Sequence, residues 1–381
     1  MIKISFENYK AASDGKFTCD AEAPFIAWRP DIETIKKEFA PYDKYQNYIV
    51  VGNGGSISTL EALWRALGSS SKKLTIVPTM EPDFLVLVKR ENPVKDTLVI
   101  VVSKSGDTVG VLEDTFVFQE YPMLAITTKG KGTLSQLAEK MGWPIVEHPP
   151  VGGRFSGRSA VAYGPAHLLG IDITAVEEGA AAASAAYQKP GNAARQLASF
   201  MAGCGRPEMY MPVYSYFLEG FNHLVTQLIH ESTGKDKKGP TLLTLGAPES
   251  QHHSSQRFFG GPQNMAGIFV TVSRAHHDTA ITVPRPVSDL SLRDGKLEML
   301  DGVNLHRSLL SEAAGTITDA QEKGIPLARI ELDQIAPQTV GEYLVFWQFV
   351  AYYLAVILGV NPFDQPQVER SKEISFNLRR K

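Results

Sequence analysis

The sequence predicts an α/β protein built from mainly parallel β-sheets with helices on their faces. Short runs of apolar, largely β-branched residues alternate along the chain with segments of helical periodicity. Polar turns rich in glycine, serine and threonine join several of these runs to the helix that follows. Strand, polar turn and helix in repeated succession are typical of a parallel sheet covered by helices.

Three strands are predicted in the first half of the chain, at residues 48–51, 98–102 and 123–126. Behind the first strand, four apolar residues recur at helical spacing: Leu60, Leu63, Trp64 and Leu67. Ser58 and Glu61 have the spacing of a capping box, so we expect them to open that helix.

A second series of predicted strands and helices follows an alanine-rich helical stretch at residues 175–186. Its strand candidates are residues 209–213, 242–245 and 268–272, and a helix carrying Phe217, Phe221, Leu224 and Leu228 on one face separates the first two. We therefore predict two domains, at residues 1–180 and 181–381. The helical C-terminal part, from about residue 304 onward, is expected to pack back on both.

The composition is that of an ordinary globular protein, with 381 residues, 43% of them hydrophobic and 21% charged. A formal net charge of -3 gives no reason to expect nucleic acid as a partner. The two cysteines, Cys19 and Cys204, lie far apart, so neither a disulfide framework nor a zinc site is predicted. A reducing, cytoplasmic compartment fits this cysteine usage.

One apolar segment, residues 343–360, is long enough to cross a membrane and contains Gln348 as its clearly polar side chain. It has no positively charged flank, and residues 1–13 lack the apolar core of a signal peptide. We interpret the segment as a buried helix of a soluble protein, so no membrane partner is expected.

Polar turns follow two of the predicted strands, at residues 52–56 and 103–108. Ligands of open parallel sheets bind beyond the carboxyl ends of the strands, where helix N-termini favour a phosphate. Gly54 and Gly55 would let the backbone approach closely, and hydroxyl donors would come from Ser56, Ser103, Ser105 and Thr108. The alternative is that these serines and threonines only cap helices.

The sequence does not match several common phosphate-binding and metal-binding motifs. Ile57 stands where a dinucleotide fingerprint needs its last glycine, and no P-loop sequence occurs. Gly234 replaces the second histidine of an H-E-x-x-H motif, and His252-His253 has no further ligand at suitable spacing, so no metal is predicted. A small phosphorylated metabolite remains as the expected ligand.

Three further polar stretches are candidates for chemistry. Arg154 lies in a glycine-rich loop, Gln227 and Glu231 lie four residues apart on one helix face, and His252 follows the strand at 242–245. Taken singly, each has an ordinary alternative, such as a surface ion pair or a solvated helix end.

Six motifs occur together in a recognisable order: 52–56 (GNGGS), 103–108 (SKSGDT), 152–156 (GGRFS), 231–235 (ESTGK), 251–252 (QH) and 363–372 (FDQPQVERSK). In this order the chain resembles the glucose-6-phosphate isomerase family over nearly its whole length. Three positions depart from the family pattern: Asn53, Gly157 and Gln367. The resemblance implies two sugar-isomerase (SIS) domains with the active site between them.

The resemblance also implies a reaction, the interconversion of glucose 6-phosphate and fructose 6-phosphate through a cis-enediol(ate). Glu231 matches the family's base, Arg154 the group beside the enediolate oxygen, and His252 and Lys372 the residues associated with ring opening. The implied substrate-binding residues are Gly55, Ser56, Ser103, Lys104, Ser105, Thr108 and Gln227. No metal or organic cofactor is implied. A homodimer with shared active sites is implied, in which His252 reaches the neighbouring subunit's site.

Two alternatives remain open. The enzyme could also accept mannose 6-phosphate, since the C2 epimer would use the same base and phosphate site. The chain could instead be a SIS-domain sensor that binds a sugar phosphate without turnover. The joint presence of Glu231, Arg154, His252 and Lys372, with no helix-turn-helix pattern, favours catalysis.

Overall fold

The computed structural model describes residues 2–10, 18–68 and 71–380. The strands are β1 Lys3–Glu7, β2 Asn47–Val51, β3 Lys73–Val77, β4 Thr97–Val102, β5 Met123–Thr127, β6 Ile145–Glu147, β7 Glu208–Val213, β8 Thr241–Gly246, β9 Met265–Arg274, β10 Ser291–Leu292, β11 Gly295–Lys296 and β12 Leu327–Gln334. The helices are α1 Pro24–Ala27, α2 Ile32–Phe39, α3 Ser58–Leu67, α4 Pro82–Glu91, α5 Val109–Val117, α6 Gly132–Met141, α7 Ala160–Leu168, α8 Ile173–Tyr187, α9 Ala193–Gly203, α10 Asn222–Thr233, α11 Ser254–Gly260, α12 Leu305–Glu322, α13 Pro337–Leu358 and α14 Glu369–Leu378.

The first sheet has the order β3-β2-β4-β5-β6, and all of its strands are parallel. Its central strands β2 and β4 are almost fully buried, because helices cover both faces. The chain places β3 on one side of β2 and β4 on the other, so the strand order reverses between β2 and β4. Such a reversal opens a crevice at the carboxyl ends, which is where ligands bind in this class of sheet.

The second sheet has the order β1-β12-β9-β7-β8, with β1 antiparallel to β12 and the other pairs parallel. Strand β1 therefore belongs to this sheet, although its residues were expected in a first domain at 1–180. The predicted division at residue 180 falls inside α8 and stays a prediction. The C-terminal part is mainly helical, as predicted, and it also contains strand β12, which the sequence analysis did not predict.

Helix α13 fills the core. It is long and apolar enough to cross a membrane, but 83% of its most apolar window is buried inside the fold, against helices that include α8, α9 and α10. Gln348, its buried amide, donates to the carbonyl oxygen of Phe155 at 3.2 Å. The interpretation as a buried core helix is confirmed, and the helix also supports the loop that contains Arg154.

The predicted capping box at the start of α3 is wrong. A 3₁₀ turn, Gly54–Ser56, leads into α3 through Ile57, so Ser58 is already a helical residue and caps nothing. The Ser58 hydroxyl instead lies 3.4 Å from Oε1 of Gln227, and Glu61 pairs with His223. Both side chains face α10 rather than their own helix end.

Candidate active site

Two turns at the carboxyl ends of the first sheet pack directly against each other. Gly55 lies in the turn after β2, and a Cβ atom at Gly55 would lie 2.2 Å from the carbonyl carbon of Gly153. We expected Gly55 to allow close approach to a ligand, but the close approach in the structure is to the Gly153–Arg154 backbone. Glycine is required at residue 55 because any side chain would push these two turns apart.

Arg154 is the centre of the site, with its side chain 4% exposed. All five of its N–H groups donate hydrogen bonds, to Ser232 Oγ at 2.9 Å, Glu231 Oε2 at 3.0 Å, Gln365 Oε1 at 2.9 Å, the Pro362 carbonyl at 2.6 Å and the Asp364 carbonyl at 3.1 Å. A buried guanidinium must satisfy its donors to offset its lost hydration. Arg154 thereby joins the end of α10 to the segment that follows α13.

Charge around Arg154 is balanced by carboxylates. Burial lowers the pKa of Arg154, while the charges of Glu231 and Asp364 oppose that shift. An arginine stays protonated even after a substantial lowering of its pKa. Arg154 is therefore a fixed positive charge in direct contact with Glu231.

Glu231 lies in the last turn of α10 and keeps 37% of its side chain exposed. Gln227, one turn earlier, donates to Glu231 Oε1 at 3.1 Å, as the four-residue spacing predicted. A cavity of about 320 Å³ opens beside them, lined by Gly54, Ile57, Ser58, Glu61, Pro78, His223, Gln227 and Glu231. The carboxylate is thus held at both oxygens but remains accessible.

The turn after β4 contains three of the four predicted hydroxyl donors, Ser103, Ser105 and Thr108, whereas Ser56 lies in the turn after β2. The hydroxyls of Ser103 and Thr108 lie 3.1 Å apart, and Ser103 Oγ accepts from the Gly106 amide at 3.2 Å. Thr108 precedes α5 without capping it through its side chain. Partial burial lowers the pKa of Lys104, whose ammonium has no hydrogen-bond acceptor among the residues the structure describes. This turn therefore offers hydroxyls and an unneutralised cation to an anion.

The two predicted ring-opening residues lie on the surface. His252 ends the 3₁₀ turn Glu249–His252 after β8, and its exposed side chain makes no hydrogen bond within the described part of the chain. Lys372 lies on α14 and pairs with Glu369 at 2.8 Å. Within the described residues of one chain, no hydrogen bond or ion pair joins either side chain to Glu231, Arg154 or Gln227.

Helix α14 has every residue exposed and is held at its two ends. Gln365, shortly before it, binds Arg154, and Arg379, just after it, pairs with Glu113 on α5 at 2.7 Å. Helix α14, which carries Lys372, therefore lies between the Arg154–Gln365 contact at one end and helix α5, which follows the 103–108 turn, at the other.

The site contains residues that the sequence analysis did not select. Gln365 accepts from Arg154, and the largely buried Lys235 pairs with Asp364 at 3.0 Å and also donates to the Ser232 carbonyl. The sequence did contain a signal for Gln365, Lys235 and Asp364, because these residues lie in the motifs at 231–235 and 363–372. Among the residues that the structure describes, no group of three or more His, Cys, Asp or Glu side chains could hold a metal ion.

No model of a known protein family matches the chain. The chain is 31% identical to the glucose-6-phosphate isomerase of Listeria monocytogenes, over 99% of this chain and 82% of that protein. It is 30% identical to a probable glucose-6-phosphate isomerase of Haloquadratum walsbyi, over 91% and 83% of the two chains.

A crystal structure of a glucose-6-phosphate isomerase from Chlamydia trachomatis has the same fold, with a TM-score of 0.77 at 22% identity, covering 91% of this chain and 71% of that one. The two-sheet SIS-like architecture is thereby confirmed. With the site motifs in place and about 30% identity extending over most of both chains, this chain belongs to the glucose-6-phosphate isomerase family.

Proposed function

We propose that this protein interconverts glucose 6-phosphate and fructose 6-phosphate through a cis-enediol(ate) intermediate. The observation that carries the proposal is the contact between the Glu231 carboxylate and the Arg154 guanidinium at 3.0 Å, beside an open cavity. A base next to a fixed cation suits the removal of a proton from carbon, because the cation stabilises the negative charge that develops. The relatives' names agree with this chemistry.

Glu231 acts as the base that carries the proton between C2 and C1. Its Oε2 atom is paired with Arg154 and its Oε1 atom accepts from Gln227, so the carboxylate is held in one orientation before substrate arrives. Such preorganisation removes the need to orient the base during the reaction. Gln227 also faces the cavity, where it can contact the substrate.

Arg154 stabilises the enediolate oxygen by exchanging one partner. All five donors are occupied without substrate, so an oxygen of the intermediate must replace Glu231 or Gln365 at Nη1. When Glu231 takes the proton it loses its charge, and its attraction to Arg154 weakens as the enediolate charge appears. The cation can then move its strongest interaction from the base to the intermediate.

The phosphate is held at the carboxyl ends of β2 and β4. Ser56, Ser103, Ser105 and Thr108 supply hydroxyls, with Gly55 in the same turn as Ser56 and Lys104 adding a positive charge. Most of these donors are neutral, so the geometry of the turn contributes more to affinity than net charge does.

His252 and Lys372 open the pyranose ring by proton transfer at the ring oxygen and O1. Both are exposed in one chain, and His252 has no partner there within the described residues. We infer that the protein is a homodimer in which His252 enters the neighbouring subunit's site. The chemistry needs no metal or organic cofactor, and the two free cysteines, Cys19 and Cys204, fit a cytoplasmic enzyme.

A coupled assay of purified protein tests the proposal directly. Fructose 6-phosphate should be converted to glucose 6-phosphate, and the reverse reaction should run at a comparable order of rate. Binding of both sugar phosphates without turnover would instead identify a sensor. A parallel assay with mannose 6-phosphate measures whether the C2 epimer is also a substrate.

A further inference from the structure

We propose that Tyr214 and Thr316 are positioning residues that hold the turn carrying His252 in place through hydrogen bonds to Gln251. The inference rests on the proposed isomerase function and on the ring-opening role proposed there for His252. It assigns a role to a buried tyrosine and to a threonine of α12, neither of which the mechanism above uses.

Gln251, which immediately precedes His252, links their turn to α12. Its Nε2 atom donates to Tyr214 Oη at 2.9 Å, to Thr316 Oγ1 at 3.0 Å and to the Glu312 carbonyl at 3.3 Å. Because a carbonyl oxygen only accepts hydrogen bonds, the amide nitrogen of Gln251 and not its amide oxygen must face this group. Three acceptors therefore set the orientation of the Gln251 side chain.

The two hydroxyls that bind Gln251 are themselves fixed. Tyr214 Oη donates to Thr316 Oγ1 at 3.1 Å, and Thr316 donates in turn to the Glu312 carbonyl one helical turn earlier, also at 3.1 Å. Tyr214 is 1% exposed and packs in an apolar cluster that includes Ile317 of α12. Burial raises the pKa of Tyr214, so its hydroxyl keeps the proton that it donates. Each hydroxyl thus donates once and still accepts from Gln251.

A second contact holds the same turn to the sheet. The buried Ser250 accepts from Oη of Tyr210, a residue of β7, at 3.2 Å. On the other side of the turn, His253 pairs with Glu249 at 2.9 Å. The residues on both sides of His252 are therefore anchored, whereas its own imidazole makes no hydrogen bond within the described part of the chain.

This arrangement fixes the backbone of a turn and leaves one side chain free to bind. A group that transfers a proton to a substrate must come within hydrogen-bond reach of it, and a misplacement of ~1 Å costs about 10²-fold in rate. The contacts of Gln251 limit such a displacement, because they tie the residue next to His252 to α12 and to the end of β7. An exposed glutamine in water would need none of these contacts, so satisfying its own amide does not explain them.

The test compares a cyclic substrate with an open-chain one. Fructose 6-phosphate closes its ring through O5, whereas 5-deoxyfructose 6-phosphate lacks that oxygen and stays open. We define the ring-opening ratio as kcat/KM for the first substrate divided by kcat/KM for the second, both followed by NMR. Tyr214→Phe/Thr316→Val removes both hydroxyls and keeps the side-chain shapes. We expect the ratio to fall ~10-fold, with kcat/KM for the open-chain substrate within about 2-fold of wild type.

Tyr121→Phe/Thr97→Val is the matched control. It also removes one tyrosine hydroxyl and one threonine hydroxyl from buried residues, but beside the first sheet, where each hydroxyl donates to a backbone carbonyl. This variant should keep the wild-type ring-opening ratio. Thr316→Ser, which retains the hydroxyl that Gln251 needs, should keep it as well.

A wild-type ratio in Tyr214→Phe/Thr316→Val, or an equal loss for the two substrates, would overturn the proposal. If that variant does not fold, Thr316→Val alone, at a partly exposed position, should lower the ratio ~3-fold, and an unchanged ratio would also count against the proposal. Failure of the proposed function looks different. Wild-type protein would then convert neither substrate, or His252→Ala would keep the wild-type ratio and so show that His252 does not open the ring.

Discussion

The residues proposed for proton transfer and the residues proposed for ring opening differ in how many of their contacts form within one chain. Arg154, Glu231 and Gln227 are joined by direct hydrogen bonds of 3.0 and 3.1 Å, and the guanidinium is buried. His252 and Lys372 are exposed and contact none of these three groups within the described residues. In the proposed mechanism, one chain therefore prearranges the residues of the isomerisation step, whereas His252 and Lys372 require a partner chain or movement of α14 to reach the substrate.

The difference has a physical cause. A buried guanidinium is costly unless every donor is paired, so Arg154 can only exist within a fully formed network. An exposed histidine or lysine is hydrated and needs no partner to be stable. Folding of one chain thus fixes Arg154, Glu231 and Gln227, whereas His252 and Lys372 remain exposed to solvent.

We expect Arg154→Lys to have the largest effect of the substitutions proposed, because it disrupts the network of Arg154, Glu231 and Gln227. Lysine keeps the charge but cannot place five donors, so carbonyls at Pro362 and Asp364 lose their partners. We expect kcat to fall by ~10²–10³ and stability to fall as well. Steady-state kinetics and thermal unfolding measure both.

Arg158→Lys is the control for that loss. Arg158 is equally buried and binds Glu177 through two hydrogen bonds, away from Glu231. It should lower stability but leave kcat nearly unchanged in the folded enzyme. Equal losses of kcat in the two variants would mean that Arg154 only supports the fold.

Ser105→Ala and Thr108→Ala should weaken the phosphate contact. Removing one neutral donor to a charged group costs ~1.5–3 kcal/mol, which is about ten- to a hundred-fold in KM. Inhibition constants for phosphorylated and unphosphorylated polyols supply the comparison. If both kinds of inhibitor lose affinity equally, the turn is structural and does not bind phosphate.

A mixed dimer tests whether the Glu231 and the His252 that serve one site come from different chains. One chain carries Glu231→Gln and the other His252→Ala, each with its own purification tag. The site on the His252→Ala chain keeps its Glu231 and borrows an intact His252, so the doubly tagged dimer should regain about half of wild-type activity. Each parent homodimer should stay nearly inactive. No recovery in the mixed dimer would show that His252 acts within its own chain.

Metal removal should have the smallest effect. No metal-binding cluster of three acidic, His or Cys side chains exists among the described residues, and both steps of the proposed mechanism are proton transfers. Prolonged EDTA treatment followed by dialysis should change kcat by less than about 2-fold, and added Zn²⁺ or Mn²⁺ should not raise it. Loss of turnover that only a metal restores would contradict this expectation.

Local patterns predicted the strands whose residues are continuously apolar, such as β2, β4 and β7. They missed β1 and β12, which alternate charged and apolar residues and lie at or near a sheet edge, and also β3 and β6, the two edge strands of the first sheet. The predicted capping box at Ser58 and Glu61 was wrong because a contact between residues distant in sequence outweighs the local pattern. The contact of Ser58 with Gln227, across 169 residues of sequence, replaces the local hydrogen bond that the motif describes.

The same limit applies to the candidate site: local patterns predict contacts between residues close in sequence but not between distant ones. The contact between Gln227 and Glu231 follows from helical spacing, so the sequence predicted it. The contact between Arg154 and Gln365 joins residues 211 positions apart, which no local pattern specifies. Only the resemblance, read over the whole chain, could place such distant residues in one site.

The central claim is that Glu231 transfers a proton between C2 and C1. It is tested most directly by incubating fructose 6-phosphate with enzyme in D₂O and measuring deuterium at C2 of the glucose 6-phosphate formed. Wild-type protein should introduce deuterium during turnover. Glu231→Gln, which keeps the size of the side chain but removes the base, should lose that exchange together with ~10²–10⁴ of kcat. Near-normal turnover by Glu231→Gln would contradict the account.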